Sequence, residues 1–172
     1  MSANTLWDLF VDQLKDVHDV ELRLTKALPR MAKAAHSKEL RAAFTDHLKE
    51  TEEHVNRLER VLDTIDVPPA RKTCRAIVGI LEEGEELMKE SQNGVRDAAL
   101  IAAAQKVEHY EMATYGCLHA WAELLGENEV SRLLQATLEE EGAADRKLSE
   151  IAHTLNLDAM NGRDDTREQK RA

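Results

Sequence analysis

Apolar residues recur at steps of three and four positions along four long segments of this chain. That spacing places them on one face of an α-helix, because an α-helix has 3.6 residues per turn. Signals for strands and tight turns are scarce, since the 172 residues include only 7 Gly and 3 Pro and only 3% are aromatic. The sequence therefore predicts an all-α protein, long enough to bury about 70% of its unfolded surface.

The ends of the four segments predict how they are connected. The first begins at Thr5, a typical N-cap residue, and the second begins at Ser37. The third runs from near Val95 to Gly126, and the fourth follows Asn128. Two short turns thus form two helical hairpins, and a shorter amphipathic segment at about 73–90 lies between them. Two hairpins joined by a long crossover are the ferritin-like arrangement of a four-helix bundle.

The apolar periodicity stops after residue 156. Residues 1–156 are therefore predicted to form one ferritin-like helical bundle domain. Residues 157–172 are polar and aperiodic, and this pattern predicts a flexible C-terminal tail.

Charge and segment composition exclude several classes of protein. Acidic residues outnumber basic ones by 33 to 23, and the net charge of −10 argues against nucleic-acid binding, which needs a basic surface. No segment approaches the roughly 18 uninterrupted apolar residues of a membrane helix, and no signal peptide is apparent at the N-terminus. Cys74 and Cys117 lack the spacing of a disulfide framework or a zinc knuckle. We therefore expect a cytoplasmic protein.

Acidic and histidine side chains interrupt the apolar stripe of each long helix. Such residues lie about 15–18 positions from the turn of their own hairpin, which at 1.5 Å per residue is about 23–27 Å along the bundle. A shift of 90 or 91 positions superposes Glu21 on Glu111, and His54 on Asp145. The interruptions should therefore meet at one level. The candidate metal ligands are Glu21, Glu50, His54, Glu108, Glu111, Glu141 and Asp145.

Several carboxylates in an apolar interior need compensation, because each buried charge costs several kcal/mol. The four stripes contain no Lys or Arg, and Arg57 lies only at the rim of the second. Protonation, a water-filled core and bound metal ions are the remaining possibilities. A single Glu on an apolar face is usually an edge residue that reaches solvent, but interruptions at one level on four helices favour metal. Oxygen-rich ligands with one or two imidazoles suit iron or manganese better than zinc.

Five segments of the sequence form a distinctive set, namely ALPRMAKAA (27–35), HLKETEEH (47–54), RLERVL (57–62), RDAALIAAAQKVEHYEMATYG (96–116) and LLQATLEEEGAADRKL (133–148). These segments resemble the YciF-type bacterial stress proteins. The resemblance covers nearly the whole chain except the tail. It implies a dimeric ferritin-like bundle that is linked to stress responses, with a dinuclear metal site and no firmly assigned reaction.

The chain departs from the ferritin-like ligand pattern. That pattern has Glu on the first and third helices and Glu-x-x-His on the second and fourth. In the same order this chain carries Glu21, then Thr51 and His54, then Glu108 and Glu111, then Glu141 and Ala144. Neither Glu-x-x-His is intact. Glu50 and Asp145 are the candidates to compensate, and the number of metal ions stays open.

The third helix is apolar almost all round, since Ala103, Tyr110, Cys117 and Trp121 lie opposite its acidic stripe. Such a helix must be covered on two sides. The crossover segment is one possible cover and a second copy of the chain is another. We expect a symmetric homodimer, the commonest form of oligomer.

These observations favour a ferritin-like metalloprotein whose metal pair reacts with oxygen or peroxide, in ferroxidase-like or peroxide-detoxifying chemistry. The alternative is a non-enzymatic dimeric stress or scaffold protein with a degenerate metal site. An iron-storing cage is a third class, which requires many subunits. The sequence leaves open whether the protein is an enzyme.

Overall fold

The computed structural model describes residues 4–69 and 72–168, with side chains described as far as Asn161. It contains α1 (Leu6–Ala34), α2 (Lys38–Thr64), α3 (Arg75–Glu90), α4 (Asn93–Leu125) and α5 (Asn128–Glu168). The described residues include no strand. The predictions of an all-α bundle, with four long helices and a shorter one in the crossover, are confirmed.

The helix ends form for local reasons that the sequence contains. The Thr5 hydroxyl accepts the Asp8 N–H at 3.0 Å, and the Asp8 carboxylate accepts the Thr5 N–H at 3.1 Å, so that two free donors are satisfied. The Ser37 hydroxyl accepts the Leu40 N–H at 3.3 Å at the start of α2. Gly126 ends α4 with φ 82°, a left-handed conformation that glycine adopts without steric cost.

The helix contacts establish the topology. Helix α1 packs against α2 and α4, and α5 packs against the same two helices. Near the start of α4, the Asp97 carboxylate accepts the N–H groups of His36 at 2.7 Å and Ser37 at 2.8 Å, in the α1–α2 turn. Helices α2 and α4 therefore start at the same end of the bundle and run parallel, which makes all four packed pairs antiparallel. A long crossover between the hairpins is what this arrangement requires.

We expect Asp97→Ala to lower the free energy of unfolding by about 2–3 kcal/mol, because Asp97 is 1% exposed and its charged carboxylate holds two backbone N–H groups. Urea denaturation of the metal-free protein measures this effect. Glu90→Ala, at an exposed position at the end of α3, is the control and should change stability by less than about 0.5 kcal/mol. Equal stability of the two variants would show that Asp97 does not hold the turn.

The crossover helix α3 covers part of the outer face of α4. A Cβ at Gly84 would lie 3.2 Å from the Ala103 Cβ, so the two helices approach closely there. At the start of α3, the Cys74 Sγ lies 3.1 Å from the Tyr110 Oη. Further along α4, Cys117 is exposed. The crossover thus covers the first half of the outer face of α4. The homodimer stays a prediction, and it now rests on the second half of that face alone, where Cys117 is exposed.

Helix α5 extends past the predicted start of the tail. It continues as helix to Glu168. Leu157, Ala159 and Met160 are good helix formers, so helix propensity favours this continuation as far as Met160. Ala159 lies against α4, and a Cβ on Gly94 would come within 3.4 Å of its Cα. The end of the apolar periodicity therefore does not mark the end of the helix. The domain boundary at 156 and the flexibility of the tail stay predictions, and residues 169–172 lie outside the described residues.

None of the helices in the described ranges combines the length and the apolar character needed to span a membrane.

Candidate metal centre

Five of the seven predicted ligands meet in the middle of the bundle. Glu21 projects from α1, His54 from α2, Glu108 and Glu111 from α4, and Glu141 from α5. None of these side chains is more than 3% exposed. Four helices thus place ionisable groups at one level of an otherwise apolar interior, as the positions along the hairpins predicted.

Glu21, His54 and Glu141 form one compact group, which we call the His54 half-site. The His54 Nδ1 lies 2.9 Å from the Glu141 Oε1 and 3.5 Å from the Glu21 Oε1. These atoms do not have the alignment of a hydrogen bond, and the His54 Nδ1 has no hydrogen-bond partner. One nitrogen and two carboxylate oxygens therefore converge without satisfying one another.

His47, Glu108 and Glu141 form a second group, which we call the His47 half-site. The His47 Nε2 lies 3.4 Å from the Glu108 Oε1 and 3.7 Å from the Glu141 Oε2. Glu141 thus belongs to both half-sites and turns one oxygen toward each histidine. The ring centroids of His47 and His54 are 6.4 Å apart.

Two carboxylates outside these groups hold the two imidazoles. The His54 Nε2 lies 2.9 Å from the Glu140 Oε2, and the His47 Nδ1 lies 3.1 Å from the Glu50 Oε2. An ionised carboxylate can only accept, so the ring nitrogen that faces it carries the proton. The lone pairs of the neutral rings then lie on the His54 Nδ1 and the His47 Nε2, the two atoms that face the half-sites. This is the outer support that metal-bound histidines usually have.

Arg57 fixes the carboxylate that holds His54. Its Nη1 donates to the Glu140 Oε2 at 2.6 Å and its Nη2 to the Glu140 Oε1 at 3.2 Å, while Nη1 also donates to the Thr137 Oγ1 at 2.7 Å. The positive charge of Arg57 is therefore paired with Glu140, at the rim of the buried cluster. Among the described residues, no lysine or arginine pairs with Glu21, Glu108 or Glu141.

The structure separates the other predicted ligands from the two half-sites. Glu111 is fully buried beside them, and neither of its carboxylate oxygens has a hydrogen-bond partner. Glu50 contacts His47 from the outside, and 53% of its side chain is exposed. The Asp145 Oδ1 accepts from the Gln105 Nε2 at 3.2 Å and lies 3.5 Å from the His109 Nε2, so Asp145 points toward α4 and away from the cluster.

Two residues outside the set of predicted ligands belong to this site. His47 lies in the apolar stripe of α2, two helical turns before His54, and that position was the available signal. Glu140 belongs to the acidic run at 138–141, which resembles a solvated face, and it is found only through the approach of α2 to α5.

Polar neighbours on the same level contact their own helix or a single carboxylate oxygen. The Thr51 hydroxyl, at the position where the ferritin-like pattern has Glu, donates to the His47 carbonyl at 3.0 Å. The Tyr115 hydroxyl donates to the Glu21 Oε1 at 2.5 Å and leaves the Glu21 Oε2 unpaired. Tyr115 thus orients Glu21 without neutralising its charge.

The donor set fits a metal ion. Buried oxygens without a hydrogen-bond partner occur on Glu21, Glu108, Glu111 and Glu141, although buried polar groups in folded proteins are nearly always paired. Two ligands at bond lengths of about 2.1 Å and at right angles lie about 3.0 Å apart. The histidine–carboxylate separations within the half-sites, from 2.9 to 3.7 Å, are close to this value, and all the ligand atoms of each group lie within 4.8 Å of one another. The two groups can therefore each hold a cation after small side-chain shifts.

Without a metal, protons must compensate for the carboxylates. Burial raises the pKa of Glu21 and holds the pKa values of Glu108 and Glu111 well above the usual range. Burial alone would lower the pKa of His54, but the carboxylates of Glu141 and Glu21 outweigh it and raise that pKa to about 10. Glu50, Glu108 and Glu141 likewise overcome burial and raise the pKa of His47 to about 9.

Comparison with known proteins assigns the family. Residues 5–160 match the family described as "Domain of unknown function (DUF892)". Protein YciF of Escherichia coli (strain K12) is 43% identical over 164 residues, which are 94% of this chain and 99% of YciF. The crystal structure of that stress protein matches with a TM-score of 0.86 at 42% identity, over 89% of this chain and 98% of the other.

Two further solved structures are similar to the chain. YcfI of Rhodopseudomonas palustris, provisionally described as a structural protein, matches with a TM-score of 0.83 at 41% identity, over 87% of this chain and 97% of the other. A protein from Xanthomonas campestris pv. campestris shares the fold, with a TM-score of 0.74 at 19% identity over 96% of this chain and 99% of the other. The chain therefore belongs to the YciF-type stress protein family, the family whose description is "Domain of unknown function (DUF892)".

Proposed function

We propose that this protein is a stress-response metalloprotein whose bundle core holds two ions of iron or manganese, one in each half-site. The observation that carries the proposal is Glu141, a buried carboxylate that turns one oxygen toward each of two histidines and has no hydrogen-bond partner. A shared carboxylate between two oxygen-rich groups is the arrangement of the ferritin-like carboxylate sites. Such a pair of ions would supply redox chemistry with oxygen or peroxide, as ferroxidase or as peroxide-detoxifying activity.

The chain's own residues have separate tasks in this proposal. Glu141 bridges the half-sites, while Glu21 and Glu108 each serve one of them. The Glu140 carboxylate holds the proton on the His54 Nε2, and the Glu50 carboxylate holds the proton on the His47 Nδ1. Burial of the cluster excludes bulk water, which strengthens the attraction of the carboxylates for a cation.

Metal analysis after anaerobic loading with Fe(II) tests the proposal. Incubation with Fe(II) followed by gel filtration should leave about two ions per chain, the number that two half-sites sharing one carboxylate can hold. Fewer than about 0.2 ions per chain, together with an unchanged melting temperature, would show that the site does not bind metal at all. Turnover is then assayed by the oxidation of the bound Fe(II) with peroxide and with oxygen.

We expect Glu140→Gln to weaken binding at the His54 half-site by about 10–100-fold, because a neutral amide stabilises the protonated His54 Nε2 less and fixes the ring less firmly. Binding at the His47 half-site should not change. Manganese titrations followed by electron paramagnetic resonance distinguish binding at the His54 half-site from binding at the His47 half-site. The control is Glu139→Gln, since Glu139 is exposed and contacts only its own helix, through the Gln135 Nε2 at 2.8 Å. Equal isotherms for the two variants would remove Glu140 from the site.

The proposal includes a homodimer, with part of the interface at the end of α4 that the crossover leaves open. Cys117 is exposed there, and Leu124 is 77% exposed. Light scattering should give a mass close to twice the 19.4 kDa of the chain. A dimer of this size would also exclude an iron-storing cage, which needs many subunits.

One observation favours a second function, a non-enzymatic stress or scaffold protein with a degenerate metal site. Thr51 and Ala144 stand where the ferritin-like pattern has a Glu and a His, and the similar Rhodopseudomonas protein is provisionally described as structural. In that case Glu21→Gln with Glu141→Gln should make the protein more stable than the wild type with or without added metal, because buried charge is removed. If the protein is the proposed metalloprotein, the metal-loaded wild type should be more stable than the double variant.

A further inference from the structure

A small pocket borders the His47 half-site between α2 and α5. It has a volume of about 30 Å³, and its walls include Ala43, His47, Glu50, Glu108, Ala144 and Lys147. A cavity needs roughly 10–15 Å³ to hold one water molecule, so this pocket has room for about two. Glu21, His54 and Glu111 are not among the residues that line it. The two half-sites are therefore unequal, because only the His47 half-site has this opening beside it.

The lining of the pocket is mainly apolar, with Phe44 and Leu148 among its residues, and a few incompletely paired polar groups lie at its inner side. Glu108 is 3% exposed, and its Oε2 has no hydrogen-bond partner. His47, beside it, presents the Nε2 that faces Glu108 and Glu141. At the outer side, the exposed side chains of Glu50 and Lys147 make the mouth hydrophilic. A small polar molecule that enters from solvent thus arrives next to a nitrogen and an oxygen of the half-site.

Ala144 lines this space from α5. It lies three residues after Glu141, at the position where the fourth helix of the ferritin-like pattern carries the His of Glu-x-x-His. A methyl group stands there in place of an imidazole, so the fourth helix supplies one ligand fewer.

We propose that this pocket is the entry and binding position for a small exogenous ligand, with Ala144 setting its size. The inference rests on the proposed function, since the ligand binds to a cation held by His47 and Glu108. The volume limits this ligand to about two or three heavy atoms. Oxygen, hydrogen peroxide and small anions belong to that class, whereas organic substrates do not fit. Glu21 and His54 are fully buried, whereas His47 is 8% exposed, so the ligand is assigned to the His47 half-site.

The test uses Co(II) in place of the native metal and azide as the probe. The full-length wild type is loaded with Co(II), and azide is titrated while the visible absorption of the cobalt is recorded. Azide should change the spectrum of the wild type, and it should not change the spectrum of Glu108→Gln, which retains cobalt only in the His54 half-site. Ala144→Val narrows the pocket and should weaken azide binding by at least about tenfold, or 1.4 kcal/mol.

Two further variants keep the result interpretable. Ala143→Val is the matched control, because Ala143 is the neighbouring exposed residue on α5, and its azide affinity should equal that of the wild type. Ala43→Val narrows the same pocket from α2, and it decides the question if Ala144→Val binds no cobalt. Unchanged azide affinity in the narrowed variants would overturn the inference, as would a wild type that binds two Co(II) ions but does not respond to azide. A wild type that binds no Co(II) overturns the proposed function as well.

Discussion

Glu141→Gln should abolish metal binding at both half-sites, whereas substitution of the other carboxylates should remove one ion only. Glu141 is the side chain that the two groups share, with its Oε1 at 2.9 Å from the His54 Nδ1 and its Oε2 at 3.7 Å from the His47 Nε2. A neutral amide lacks the negative charge and one of the two oxygens. We expect affinity to fall by at least about 100-fold at each half-site, the upper end of the cost of losing an outer partner.

Three other single substitutions are the comparison for Glu141→Gln. Glu21→Gln should remove the ion at the His54 half-site and Glu108→Gln the ion at the His47 half-site, so that each variant retains about one ion per chain. Glu139→Gln should retain both, because Glu139 lies two residues before Glu141 and faces solvent on the other side of α5. Metal content after gel filtration distinguishes the three expected outcomes, which are no ion, about one ion and about two ions per chain. If Glu141→Gln also retained about one ion, Glu141 would not bridge the half-sites.

The second large effect is on thermal stability. At a free metal concentration of 100 times Kd, binding to the folded state adds about 2.7 kcal/mol for each site. For a chain of this length, each kcal/mol shifts Tm by roughly 2–4 °C. Chelation of the metal should therefore lower Tm by about 5–10 °C for one site and more for two. Glu21→Gln with Glu141→Gln should melt at the same temperature with and without metal. A wild type that behaves like this double variant would contradict the account.

The contribution of the buried cluster to the stability of the metal-free protein should fall as pH rises. The raised pKa values of Glu108 and Glu111 mean that folding favours their protonated forms, so their contribution is present below about pH 4.3 and is lost as pH rises toward the folded pKa. The contributions of His47 and His54 are complete below about pH 6.5 and are lost as pH rises to the folded values of about 9 and about 10.

Metal binding should have the opposite dependence on pH. A metal ion needs deprotonated ligands, so its affinity rises with pH and its binding releases protons. The difference in Tm between loaded and metal-free protein should therefore widen from pH 6 to pH 8. Melting curves in the presence of metal or chelator measure this difference. A constant difference over this range would show that the ligands are not protonated in the metal-free protein.

The level of the site could be predicted from the sequence because helix geometry is regular. A rise of 1.5 Å per residue and two short turns suffice to bring Glu21, His54 and Glu111 to the same height. The apolar periodicity also predicted which side of each helix faces the interior. These two quantities depend on local structure alone, and therefore five of the seven candidate ligands meet in the interior.

The partners of each ligand could not be predicted in the same way, because they depend on how the helices rotate and approach one another. Asp145 follows Glu141 by four residues, but it points to Gln105 and His109 on the neighbouring side of α4. Glu140 resembles a solvated residue in the sequence, and only the packing of α2 on α5 brings it to His54. Glu50 supports His47 from outside for the same reason. The periodicity of the sequence identifies the buried face of each helix. Side-chain contacts are needed to tell a candidate metal ligand from a residue that supports a ligand.

The most direct test of the two-ion centre is anomalous diffraction. Crystals of protein loaded anaerobically with Fe(II), or with Mn(II), should be measured at the iron and manganese absorption edges. We expect two anomalous peaks within the bundle on either side of the Glu141 carboxylate, one among Glu21, His54 and Glu141 and the other among His47, Glu108 and Glu141. Loaded crystals with no anomalous peak among these side chains would contradict the account.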